Sequence, residues 1–203
     1  MTVLRASELR KKPVVTFAGE SAGVVADVLY ATGGGSVAAF AVGGGGLLSG
    51  GAHTALPWDQ VAGFGPAAVM IRSSDALVPI GTYLGAVGDD ASAGARDVTG
   101  STVLTDTGEA LGQVTDILVA LVPGAALQAD VVGYEIAPSA SLGGDTPAPG
   151  GGRVLIPVPD TMSVSAQHLV VPAAARGYLT DDLGTFDQTV TRFRAELGGA
   201  HRC

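Results

Sequence analysis

Apolar and polar residues alternate in short bursts along this chain, and the bursts recur. Residues 14–30 read VVTFAGESAGVVADVLY and residues 103–119 read VLTDTGEALGQVTDILV. At an offset of 89 they agree at Val14/Val103, Thr16/Thr105, Gly19/Gly108, Glu20/Glu109, Gly23/Gly112, Val25/Val114, Asp27/Asp116 and Leu29/Leu118. A second block, LPWDQVAGFGPAAVMI at 56–71 and IPVPDTMSVSAQHLVV at 156–171, recurs at an offset of 100 and aligns Pro57 with Pro157. The chain is therefore an internal duplication. The change of offset means 11 extra residues in the second copy, a difference that loops absorb at little cost.

The period of two predicts strands rather than helices. Each copy has an entry strand (Pro13–Phe17; Ser101–Asp106) and a tight turn carrying Gly19-Glu20 or Gly108-Glu109. An alternating strand follows (Gly23–Tyr30; Gly112–Val122), then a hairpin and a third strand (Val37–Val42; Val131–Ile136). A long Gly/Pro loop (Gly43–Gly51; Ala137–Gly152) leads to a short strand (Ala55–Trp58; Val154–Val158), an acidic turn and a last strand (Ala67–Arg72; Gln167–Val171). Five or six short strands are too few for a sandwich, and a small closed barrel removes the exposed edges. The fold class expected is mainly β: two tandem small β-barrels at 1–74 and 99–175, a linker at 75–98 and a C-terminal tail at 176–203.

Two segments read as helix. In the linker, Leu77, Ile80, Leu84 and Val87 make a short helix expected to pack between the barrels, weakened by Gly81 and Gly85. In the tail, Phe186, Val190, Phe193 and Leu197 form one amphipathic stripe, with Thr185 and Gln188 as a capping box and Gly198-Gly199 as the stop. The stripe is expected to cover an open end of the second barrel, with a partner-binding helix as the rival reading.

Composition narrows the function more than it defines it. At 47% hydrophobic the 203 residues are a globular chain, not a disordered one. The net charge of −8 is uneven: residues 1–74 sum to about +1, and the rest carries −9. Without a basic face, direct nucleic-acid binding is not expected; the cluster Arg5, Arg10, Lys11, Lys12 reads as a solvated turn. The single cysteine, Cys203, excludes an internal disulfide and suits a reducing compartment. Residues 1–12 show no apolar signal core, and the longest apolar run, Val37 to Leu48, is interrupted by four glycines. A cytoplasmic protein without a transmembrane segment is expected.

Chemistry-bearing patterns are sparse. Asp27 and Asp116 hold equivalent positions, and paired carboxylates can serve acid–base or metal chemistry. In separate barrels they are expected to lie far apart, each accepting N–H groups of its own turn or strand end. Glu20 and Glu109 read as turn carboxylates beside glycine. His53, His168 and His201 lack the spacing of a zinc site. Gly43 to Gly46 is followed by no lysine, so it is no P-loop, and no G-x-S-x-G elbow occurs. No catalytic residue, metal site or cofactor is therefore assigned. Gly19, Glu20, Gly23, Asp27, Gly108, Glu109, Gly112 and Asp116 are expected to be structural. Leu47 and Leu48 in the Gly-rich loop, Trp58 beside the acidic turn, and the helical stripe Phe186, Val190, Phe193, Leu197 are candidate partner contacts.

The pattern S-E-L-x4-V … G-E-x-x-G-x-V-x-D-[VI]-L resembles the PRC-barrel domain. The first copy carries it at Ser7-Glu8-Leu9, Val14, Gly19-Glu20, Gly23, Val25, Asp27, Val28 and Leu29; the second at Gly108-Glu109, Gly112, Val114, Asp116, Ile117 and Leu118, without the Ser-Glu-Leu entry. The resemblance spans 3–72 and 101–172. The family includes the photosynthetic reaction-centre H subunit's cytoplasmic domain and the C-terminal barrel of a ribosome maturation factor. It implies an adaptor barrel with no common active site, seated on a larger assembly. The expected function is a non-enzymatic adaptor recognising an unknown protein partner, one with basic patches to suit the acidic second half. The alternative is a ribosome-maturation or RNA-processing accessory factor acting through protein contacts. A monomer with its barrels paired about a pseudo-two-fold axis is expected, and a homodimer is the other possibility.

Overall fold

The computed structural model describes residues 1–31, 35–44, 52–87, 98–122, 127–140, 142, 152–159, 163–164 and 168–200. The elements in chain order are β1 (Thr2–Arg5), α1 (Ala6–Leu9), β2 (Pro13–Thr16), β3 (Ser21–Tyr30), β4 (Val37–Gly43), β5 (Ala52–Pro57), β6 (Val61–Phe64), β7 (Val69–Ile71), β8 (Val78–Pro79) and α2 (Ile80–Val87). The second half holds β9 (Thr102–Thr105), β10 (Ala110–Val122), β11 (Gln128–Pro138), β12 (Val154–Pro157), β13 (Ser163–Val164), β14 (His168–Val171) and a C-terminal helix, α3 (Phe186–Ala200).

The duplication is visible bond for bond. The first sheet runs β6-β7-β2-β3-β4-β5-β8 and the second β13-β14-β9-β10-β11-β12. In both, the entry strand pairs parallel with the last strand, Val14 opposite Val69 and Val103 opposite Leu169. The same bulge precedes each repeated aspartate, between Val25 and Asp27 and between Val114 and Asp116. Register also divides the inserted residues. Val28 faces Phe40 where Ile117 faces Tyr134, and Ala39 faces Pro57 where Gly133 faces Pro157. The offset thus climbs from 89 to 94 across the first hairpin and to 100 across the long loop.

Local chemistry explains the repeated residues. Thr16 and Thr105 are buried, and each hydroxyl accepts the N–H of the turn glutamate, Glu20 at 3.1 Å and Glu109 at 2.9 Å. Gly23 and Gly112 have φ of +128° and +155°. A Cβ at Gly23 would stand 2.6 Å from the Gly43 carbonyl oxygen, and one at Gly112 would meet the Ala137 carbonyl, so both strands cross at a point only glycine fits.

Several expectations need correction. The ladders of the described residues do not close either sheet into a ring. The chain's first residues reach across to the second repeat. β1 leaves the first repeat and pairs antiparallel with β10 of the second, Thr2 opposite Leu121 through Arg5 opposite Leu118. The two copies share one continuous hydrophobic cluster, which includes Leu9, Val14, Phe40 and Leu56 from the first and Val103, Val119, Tyr134 and Ile156 from the second. β6 and β13 were read only as an acidic turn.

The helices differ from expectation in placement. α2 does not lie between the barrels: its Ile80 and Tyr83 pack with Leu29, Ala39 and Ala41 on the outer face of the first sheet. α3 takes the corresponding face of the second, where Phe186 and Val190 pack with Leu118, Ala120, Val132 and Leu155. Its first turns cover that sheet face, while Phe193, with Leu197 partly buried, packs into the main hydrophobic cluster. The capping box does not form: the Thr185 hydroxyl donates to Asp182 at 2.8 Å, and Gln188 N–H donates to Asp187. Gly198 and Gly199 lie within the helix, which continues to Ala200.

Candidate functional site at the seam between the repeats

The seam is built by the first nine residues. After β1, the chain makes the one-turn helix α1, with Ala6 and Leu9 buried. Ser7 donates to Asp116 through both its N–H, at 3.2 Å, and its hydroxyl. The Ser-Glu-Leu entry of the first copy therefore engages the repeated aspartate of the second. Asp27, the counterpart, accepts from Arg10 within its own copy at 3.1 Å. Each aspartate also accepts the N–H of the next residue, Val28 at 2.9 Å and Ile117 at 2.8 Å, from a mid-strand bulge and not from a turn or strand end.

Burial pushes the Tyr30 phenol far above the ordinary tyrosine range, and the charges of Asp116 and Asp27 add to that shift. Tyr30 is 3% exposed, and among the described residues its hydroxyl has no hydrogen-bond partner.

One acidic side chain that sequence reasoning missed ties the segment down. Glu135, 1% exposed on β11, accepts from Arg5 at 2.5 Å and from Arg153 at 2.9 Å. Thr115 donates to its backbone carbonyl at 3.1 Å. Burial pushes the Glu135 carboxyl up, but Arg5 and then Arg153 outweigh it, and it titrates below the usual carboxylate range. The signal available was a lone acid between Tyr134 and Ile136 in an apolar strand. Its partner Arg5 lies 130 residues away, which no local pattern reveals.

Above this anchor the seam opens into a groove of about 550 Å³. Its lining comes from three places: Leu4 of β1, Phe64 with the following turn of the first repeat, and Leu121 and Leu127 of the second. The walls are fixed from behind. Trp58 donates its indole N–H to the Leu127 carbonyl at 2.7 Å and packs edge-on against Phe40 at 5.5 Å. Lys12 lies over the Phe64 ring at 5.3 Å while donating to the Pro66 carbonyl at 2.6 Å. A largely apolar groove with one cation, Lys12, and one anion, Glu8, in its lining can hold an apolar side chain.

The candidate contact residues fare unequally. Phe186 and Val190 are buried on the outer face of the second sheet, and Phe193 in the main cluster with Leu197 partly buried against it, so the first three are covered within the chain. Trp58 is spent inside the seam as the support of the groove. Leu47 and Leu48 lie outside the described residues. Glu20 is exposed, and Glu109 accepts from Arg176 at 2.6 Å. Gly19, Gly108, Gly23 and Gly112 hold turns and strand crossings. Among the described residues no group of three or more His, Cys, Asp or Glu side chains could hold a metal ion, and no helix is long and apolar enough to cross a membrane.

Residues 1–78 match the family model of the PRC-barrel domain, and the second repeat is not detected by that model. No curated protein matches the chain.

Proposed function

We propose, from the premise that residues 1–78 are a PRC-barrel domain, that this protein is a non-enzymatic adaptor which docks a protein partner at the seam between its repeats. The observation that carries the reading is the groove, whose apolar walls are contributed by both repeats and braced by Trp58 and Lys12. Hot spots of recognition are desolvated apolar pockets that receive one anchoring side chain. Held in place by β1, such a pocket presents a fixed shape and requires little ordering on binding. The −9 carried beyond residue 74 favours a partner with a basic surface.

The test is affinity purification of the tagged chain from its native host at low and moderate salt, beside the variant Leu127→Glu. Leu127 offers its carbonyl to Trp58, so changing its side chain leaves that bond in place. A stoichiometric partner captured by the wild type, weakened by salt and lost in an equally stable variant, is the expected result. A partner retained by the variant moves recognition away from the seam, and an empty eluate under both conditions refutes the adaptor reading.

A further inference from the structure

A second cleft, of about 250 Å³, lies at the start of α3 and is polar where the seam groove is apolar. Thr180, Thr185, Thr189 and Arg192 line it, beside the stretch 177–179. The hydrogen-bond account of these side chains is incomplete in one direction. The Thr185 hydroxyl is used, donating to Asp182. Thr180 accepts from the Asp182 N–H at 3.2 Å, and among the described residues its own proton has no acceptor. Thr189 is 5% exposed, and among the described residues its hydroxyl has no partner. The Arg192 guanidinium forms no ion pair among them; its one recorded influence is electrostatic, on Tyr178. A buried polar group without a partner costs stability, and a guanidinium can only donate. Thr180, the buried Thr189 and the exposed Arg192 thus bring to the cleft three donors that are unpaired among the described residues.

We infer that this cleft binds a carboxylate group. The first turn of the 15-residue α3 adds the positive end of its dipole. A guanidinium matches the planar carboxylate with two parallel bonds. Charge selects among oxyanions. Two acids touch the lining residues, Asp182 bonded to Gly184 N–H and Thr185 and Glu196 to the Tyr178 hydroxyl, and Asp181 and Asp187 are their neighbours in sequence. A dianion is repelled more strongly than a single charge, so a carboxylate is favoured over phosphate. The carboxylate belongs either to a small free acid or to a peptide end. The site is independent of the seam groove and stands or falls without it.

The test is titration of the full-length chain, followed residue by residue by NMR, with acetate, phosphate and chloride at constant ionic strength. A short peptide with a free C-terminal carboxylate and the same peptide as its amide complete the series. The expected result is saturable change confined to residues 177–192 with acetate, and roughly tenfold weaker binding in both Thr189→Val and Arg192→Met. The remaining spectrum of each variant reports that the fold is kept. Tighter binding of the peptide acid than of acetate, with none by the amide, assigns a peptide end; equal binding of acid and acetate assigns a free acid. Shifts scattered over the surface, effects unchanged in both variants, or preference for phosphate would overturn the inference.

Discussion

The two repeats share a backbone and differ in what leans on it. Their turns, bulges and parallel closing strands coincide, yet Ala41 of the first copy stands where the second has Glu135, and Ala39 where the second has Gly133. Both changes serve segments that are foreign to the barrel. Glu135 receives the first nine residues through Arg5, and Gly133 makes room for Phe186 of α3. The first copy carries only the eight-residue α2 on the matching face, and alanine is enough there. At these two positions divergence after duplication has fallen where each sheet meets an added element, while the glycines at the strand crossings, Gly23 and Gly112, stayed alike.

The sharpest way to break this comparison is to exchange the glycine and the alanine. A Cβ at Gly133 would meet the Ile156 carbonyl and stand 2.6 Å from the Phe186 ring. Gly133→Ala is expected to cost at least ~3 kcal/mol in urea unfolding, because neither main chain nor ring can retreat within a packed layer. The reverse change, Ala39→Gly, is expected to cost only about 1 kcal/mol through strand entropy. Equal costs would mean that α3 does not depend on the Gly133 slot.

Glu135 gives the next largest effect. Glu135→Gln leaves Arg5 beside a neutral amide and is expected to cost about 2 kcal/mol, reduced from a fully buried pair because Arg5 is 31% exposed. The sign with pH follows from the lowered carboxyl. Its stabilising contribution is fully present above the unfolded value of about 4.3 and disappears as pH falls through the lower folded value. Wild-type stability should thus fall in acid more steeply than that of Glu135→Gln. Parallel acid limbs in the two unfolding series would remove Glu135 from this role.

Ser7 ranks third. Ser7→Ala removes the hydroxyl bond to Asp116 but keeps the N–H bond, for an expected loss of about 1 kcal/mol. The loss should be local, with faster amide exchange across residues 2–9 and little change in β3, whose own aspartate is held by Arg10. A uniform rise in exchange over both sheets would show that the segment is not a separate unit of stability.

These contrasts also mark how far the sequence could be read. The duplication, the strands and the turn residues were legible because each rests on local chemistry: alternation, a threonine four residues before a glutamate, a glycine under a crossing carbonyl. The passage of β1 to the other repeat was not legible. Nothing in TVLR says which sheet edge it will find, since Leu118 to Leu121 and Leu29 onward are equivalent in pattern. The stripe Phe186, Val190, Phe193 is legible as one helical face, but the seat of Phe186 on the outer sheet face depends on Gly133, a residue without a side chain to notice. The seam groove was invisible for the same reason: Leu4, Phe64 and Leu127 come from three parts of the chain that no periodicity connects.

The smallest contrast lies at the start of each entry strand. Lys11 has φ of +67°, and the equivalent Gly100 has +93°. Both donate their N–H to the bulge strand, to Val25 at 2.7 Å and Val114 at 2.8 Å, so the left-handed turn is held in place by the same bond. A side chain in that conformation costs about 1 kcal/mol, whereas glycine costs nothing there but loses more freedom on folding. Lys11→Gly is therefore expected to stabilise the chain by about 0.5 kcal/mol, the difference between relieved strain and added unfolded-state entropy. Gly100→Lys should do the opposite, by about 1 kcal/mol. Paired urea titrations resolve the signs. If Lys11→Gly instead destabilises, the lysine side chain is making contacts that outweigh its backbone strain, and the first copy would owe its residue at this turn to the surface and not to the fold.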